Sequence, residues 1–70
     1  MSNQQDRLCL SVDQIDLLRD LARGLSTRDV AARQNTSPAQ VRRRTRDVRA
    51  DVGAATTIHA VVLAVRRGLI

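Results

Sequence analysis

LSTRDVAARQNTSPAQVRRRTRDVRADVG, residues 25–53, holds two helix beginnings separated by very little chain. Each starts with a serine, Ser26 or Ser37. Three residues later comes Asp29 or Gln40, and then an apolar residue, Val30 or Val41. This is the capping-box pattern: the serine oxygen accepts from an orphan amide of the first turn, and the residue three positions on reaches back to the serine amide. LSVDQI, from Leu10, repeats the grammar with Ser11, Gln14 and Ile15. Asp29 is short for the return bond, so the middle box is expected to be the weakest. In the first two stretches a leucine precedes the serine, which pairs Leu10 with Ile15 and Leu25 with Val30 as hydrophobic staples. Thr36 takes that place in the third, where Pro38 suits the first helical position.

The stops complete the layout. Gly24 and Gly53 are suited to left-handed C-terminal caps. Helices are expected over roughly 12–23, 27–34 and 38–52, and a fourth from just after Thr56 to near Gly68. No segment alternates as a half-buried strand does. The chain is expected to be all-α, a single four-helix domain over 10–70 preceded by a flexible tail over 1–9. Helical spacing selects a core of Ile15, Leu18, Leu21 and Ala22 with Leu17 alongside, then Val30 and Ala31, then Val41, Val48 and Val52, then Val61 and Ala64.

The third helix has two unlike sides. At about 100° per residue, Val41, Thr45, Val48 and Val52 share one face. Arg42, Arg46 and Arg49 fall toward the other, with Arg43 and Ala39 flanking. A short helix, a tight turn and a longer helix with a polar outer face form a helix-turn-helix, whose second helix enters the major groove of DNA while the first lies across the backbone. Arginine grips guanine O6 and N7 with two hydrogen bonds, worth ~1–3 kcal/mol of discrimination. Ala39 and Ala50 are small enough for a close approach. The competing reading is a solvated face on which Asp47 and Asp51 pair with Arg43 and Arg44. Exposed pairs contribute only ~0–1 kcal/mol each, too little to account for so many arginines.

Composition agrees with a polyanionic partner. The 70 residues carry a formal charge of +5; every basic residue is arginine and every acidic one aspartate. Aromatic residues are absent, which argues against binders that stack single-stranded bases on aromatic rings. The single cysteine, Cys9, excludes an internal disulfide and a cysteine-based zinc site, so a reducing compartment is expected. The N-terminus lacks the apolar run of a signal peptide, and the stretch from Ala60 to Val65 is too short to span a bilayer. A soluble, cytoplasmic protein is expected, located on the nucleoid when bound to DNA. Ser11, Ser26 and Ser37 read as caps, since no His–acid pair accompanies them, and no glycine-rich phosphate loop occurs. His59 stands alone. Neither enzymatic activity, nor a cofactor, nor a metal is expected.

From Leu10 to Ile70 the chain resembles the LuxR-type (GerE-type) helix-turn-helix domain of bacterial transcription regulators. The resemblance rests on LSVDQIDLLRDLARGLSTRDVA, on SPAQVRRR, on Val48, Val52 and Gly53, on Ala60, Val61 and Ala64, and on the closing GLI. It implies a four-helix domain that binds duplex DNA, uses its third helix for recognition, dimerises through its last helix and regulates transcription. By position it implies base-edge contacts from Arg42, Arg43 and Arg46. Thr27, Arg28, Ser37, Gln40 and Arg49 occupy backbone-contacting places. The chain departs from the family at Gln34, usually leucine, and Thr36, usually isoleucine, so looser packing is expected around the turn. Arg44, Asp51 and Thr57 replace a common histidine, lysine and arginine. The family's arginine–glutamate pair appears as Asp13 and Gln14.

The fourth helix is too apolar for one buried face. With Val61 and Ala64 turned inward, Ile58, Val62, Val65 and Leu69 form a second stripe, and Leu63 is left on another side. A second apolar stripe on so small a domain implies a partner. The simplest is a second copy through a two-fold contact, which would place two recognition helices about one DNA turn apart. The chain starts at Met1 and closes on the family's terminal GLI, so a stand-alone regulator is expected. The alternative is an interaction module whose fourth helix modulates another regulator or RNA polymerase, with no membrane association.

Overall fold

The computed structural model describes residues 10–70, and the tail expected over 1–9, with Cys9, lies outside the described residues. Four helices form, α1 Val12–Ala22, α2 Thr27–Arg33, α3 Pro38–Val52 and α4 Thr57–Arg66, with no strand among the described residues. Their starts follow from the caps. In α1 both halves of the box are made: Gln14 N donates to Ser11 Oγ at 3.1 Å, and Ser11 N donates to Gln14 Oε1 at 3.0 Å. In α2 the short Asp29 still closes the box, accepting from Ser26 N at 3.3 Å, the longer of the two return bonds. The third box is the one left open. Gln40 N donates to Ser37 Oγ at 3.1 Å, but no return bond forms and Pro38 supplies the pre-set first position. The weak box is therefore that of α3, and the Gln40 amide stays outward and uncommitted. Thr56 caps α4 by accepting from His59 N at 3.0 Å.

All four helices end in the same way. In each, an amide just past the helix end bonds back to the carbonyl five residues before it: Leu25 to Asp20 at 3.2 Å, Thr36 to Ala31 at 2.9 Å, Ala54 to Arg49 at 2.8 Å and Leu69 to Ala64 at 2.9 Å. This Schellman closure needs a left-handed residue just before that amide. Gly24 and Gly53 supply it with φ of 85° and 74°, and Asn35 does so with φ of 56°. Asparagine tolerates this region better than other side chains, so the turn between α2 and α3 is as definite a stop as the glycine ones.

The interior is built from Leu17 and Leu18 of α1, Val30 and Ala31 of α2, Val41, Val48 and Val52 of α3, and Ala60 and Ala64 of α4. Three expectations are corrected. Ile15 and Leu21 are half-buried and Ala22 is exposed, so the inward face of α1 centres on Leu17 and Leu18. On α4 the inward pair is Ala60 and Ala64, while Val61 and Leu63 flank them and pack against the core. Two alanines one turn apart let the α4 backbone approach its neighbours where valine would hold it off. Leu69 does not continue the outer stripe. The helix stops at Arg66, Gly68 reverses the chain, and Leu69 folds back onto the core. Counting four residues on from Val65 assumes a helix that has already ended.

Among the described residues one charged side chain is buried, Asp20 of α1, only 1% exposed. Its Oδ2 accepts from Arg33 Nε at 2.8 Å and from Gln34 Nε2 at 3.1 Å. Arg33 also reaches Asp16 at 3.1 Å. A buried carboxylate is tolerated only when its lone pairs are filled, and here the C-terminal end of α2 fills them. Gln34 is thus not a loosened leucine position, because its amide gives the buried carboxylate a second donor beside Arg33. The Asp20 hydrogen bond, then that from Asp16, outweighs desolvation and holds the Arg33 guanidinium above the ordinary arginine value.

Candidate nucleic-acid interface

The outer side of α3 is assembled by its inner side. Burial of Val41, Val48 and Val52 fixes the rotation of the helix, and that rotation exposes Arg42, Arg43 and Arg46. Thr45 is held inward: its hydroxyl donates to Val41 O at 2.8 Å. Ser37 and Gln40, at the start of α3, are exposed, and so is Arg28 on the first turn of α2. Thr27, the first residue of α2, is half-buried.

The five arginines of α3 do not form one stripe. Arg42, Arg46 and Arg49 line an open hollow together with Thr27, Thr45 and Thr57. This hollow joins the first residues of α2 and α4 to one flank of α3. Arg49 is half-buried, so it lies beneath the outer edge on which the sequence reading placed it. Arg44 turns to the opposite flank, into a second hollow lined by Ser11, Asp13, Gln14, Leu17 and Asp47. Arg43 lines neither hollow and stands exposed. The structure thus brings Thr27, Arg42, Arg46 and Arg49 of the expected set together and adds Thr45 and Thr57, while Arg28, Ser37, Gln40 and Arg43 lie outside that hollow.

Charge is segregated along the same lines. The three ion pairs among the described residues all use carboxylates of α1: Asp20 with Arg23 just past its end, and Asp16 and Asp20 with Arg33, the last residue of α2. None involves an arginine of α3. The carboxylate of Asp51, a proposed partner for those arginines, accepts instead from Gln14 Nε2 at 2.7 Å. The solvated-pair alternative of Asp47 and Asp51 with Arg43 and Arg44 is therefore not formed. Unneutralised guanidinium groups on one helix give a surface field suited to a polyanion.

The outer face of α4 carries Ile58, Val62 and Val65, which are 77%, 41% and 56% exposed. Spaced by four and three residues, they lie directly opposite Ala60 and Ala64. Among the described residues no three His, Cys, Asp or Glu side chains are placed to share a metal ion, and no single helix is long and apolar enough to cross a membrane.

Comparison with protein-family models, with curated proteins and with solved structures finds no match to this chain. The functional reading therefore rests on the residues and their arrangement. Helical spacing does not by itself place Asp20 inside; the signals for its burial are its position between Leu17 and Leu21 and the arginine–glutamine pair at the end of α2. Thr57 differs from the arginine common at its place in the family the chain resembles, and nothing in its spacing marks it for the hollow.

Proposed function

We propose that this chain is a LuxR-like helix-turn-helix regulator of transcription that binds duplex DNA in the cytoplasm, with α2 and α3 as the motif and α3 in the major groove. The observation that carries the reading is the two-sided α3: three valines buried, Arg42, Arg43 and Arg46 exposed, and no carboxylate among the described residues paired to them. Arg42, Arg43 and Arg46 are the base-reading residues. Thr27, Arg28, Ser37, Gln40 and Arg49 hold the phosphate backbone, which orients the helix without reading sequence. The open Gln40 amide supports that role, since it is not consumed by its own cap.

The exposed face of Ile58, Val62 and Val65 supports pairing of two copies on a near-palindromic site. The same face also supports the second reading, in which α4 docks on another regulator or on RNA polymerase. Selection from a random duplex pool, followed by binding of the Arg42→Ala, Arg46→Ala double variant, tests the main reading. Enrichment of an inverted repeat that the double variant no longer binds, while its far-ultraviolet circular dichroism is unchanged, is the expected result. Equal binding by the double variant would remove α3 from the groove.

A further inference from the structure

The hollow at which α2, α3 and α4 meet has a composition that major-groove reading alone does not require. Its walls are three arginines of α3 and three threonines, Thr27, Thr45 and Thr57. The threonines are not equivalent. Thr45 spends its hydroxyl proton on Val41 O at 2.8 Å. Thr27 and Thr57 are the first residues of their helices, and capping is done by their predecessors: Ser26 Oγ serves Asp29 N and Thr56 Oγ1 serves His59 N. No hydrogen bond among the described residues engages the Thr27 or Thr57 hydroxyl, so both remain donors. Arg49 lines the same hollow, half-buried, and forms no ion pair with a described carboxylate.

A half-buried cation beside two uncommitted hydroxyls is the donor set of a phosphate, which offers several acceptor oxygens and accepts charge-assisted bonds from guanidinium. A helix lying in the major groove has a sugar–phosphate strand along each flank, and this hollow opens on one flank of α3. We infer that it seats a single phosphate, held by the Arg49 guanidinium and the Thr27 and Thr57 hydroxyls, while Arg42 and Arg46 at its rim reach past that phosphate toward the bases. Thr57 thereby becomes a DNA-contacting residue, and α4 touches DNA with its first residue while its outer face remains free. As a duplex contact this rests on the function proposed above; as a phosphate site it does not. The phosphate has two sources, a duplex strand or free phosphate.

Two measurements separate them. In the first, Thr57→Val, Thr45→Val and Arg49→Met are compared with the unaltered chain on a random-sequence duplex over a range of salt. Thr57→Val weakens binding roughly tenfold on every sequence, as expected for one lost hydrogen bond to a charged acceptor. Thr45→Val changes binding far less, because its hydroxyl proton is already given to Val41 O. Arg49→Met lowers the slope of log K against log salt by about 0.9, and Arg49→Lys restores it. In the second, inorganic phosphate is titrated against the unaltered chain and Thr57→Val by two-dimensional amide resonance. The amide signals of residues 27 and 57 move in the first protein and not in the second.

If the unaltered chain binds no duplex but phosphate still moves these signals, the seat stands as a site for free phosphate and the major-groove reading falls. If duplex binding proceeds with Thr57→Val and Arg49→Met indistinguishable from the unaltered chain, the seat is overturned and groove reading survives. Equal loss in Thr45→Val and Thr57→Val would also overturn it, since the effect would then come from packing.

Discussion

Arg33 donates from Nε to Asp20 Oδ2 at 2.8 Å, fastening the last residue of α2 to a carboxylate buried in α1. Gln34 adds a second bond to the same oxygen at 3.1 Å. The pair of bonds sets the angle at which α2 leaves the domain, and α3 follows α2 after a single closed turn. The presentation of the arginine face therefore depends on a polar contact well away from it.

Asp20→Leu alone strands the Gln34 amide and is expected to lower stability, as is Gln34→Leu alone. The Asp20→Leu, Gln34→Leu double variant removes the carboxylate together with the amide that served it, leaves the half-exposed Arg33 its bond to Asp16, and recovers part of that loss, because replacing buried polar groups with apolar ones is often close to neutral. Urea melts of the four proteins form a double-mutant cycle, with an expected coupling of ~0.5–3 kcal/mol. Additive effects would show that the two side chains do not share one site.

The alkaline limb of the stability curve should be flat. A cation whose folded value is raised keeps its full contribution below the ordinary value and loses it only as pH climbs through the raised one. Arg33 is raised by Asp20 and Asp16, and ordinary arginine already titrates far above neutrality. Thermal melts between neutral and carbonate pH are expected to show no fall attributable to Arg33; a fall in the unaltered chain that Arg33→Met lacks would contradict the assignment.

Asn35 is the left-handed stop of α2, at φ 56°. Asn35→Gly is expected to be tolerated, whereas Asn35→Ala keeps the β-carbon in that conformation without the short polar side chain that can hydrogen-bond locally, and is expected to be about 1–2 kcal/mol less stable than the glycine variant. The difference between the two midpoints in urea is the measurement. Equal midpoints would mean that the turn adopts another conformation in solution.

The open cap of α3 separates stability from binding. Ser37→Ala loses the bond to Gln40 N and is expected to cost about 1 kcal/mol. Gln40→Ala makes no such loss and should leave the urea midpoint in place while weakening duplex binding. Gln14→Ala, by contrast, removes both a cap bond and the bond to Asp51, so its effect falls on stability.

Val62→Asp places a charge in the middle of the exposed α4 face and is expected to yield monomers by sedimentation without loss of helicity. Val12→Asp is the control, since Val12 is 81% exposed but belongs to α1. An unaltered chain that sediments as a monomer at high concentration would dismiss pairing through α4.

Local structure was legible in the residues themselves. Ser11, Ser26, Ser37 and Thr56 mark the four starts, Gly24, Gly53 and Gly68 mark stops, and the spacing of Val41, Val48 and Val52 orients α3. Each of these acts over at most one or two helical turns, through bonds between residues three to five apart, so neighbouring residues decide it. The remainder depended on how the helices cross. Asp20 meets partners 13 and 14 residues away, and Gln14 meets Asp51 across 37. The inward choice of Ala60 over Val61, the return of Leu69 to the core, and the gathering of Thr27, Arg49 and Thr57 at one hollow all belong to that second class. Periodicity states which residues share a face, but not which neighbouring helix covers it or how closely, and burial and pairing follow from that approach alone.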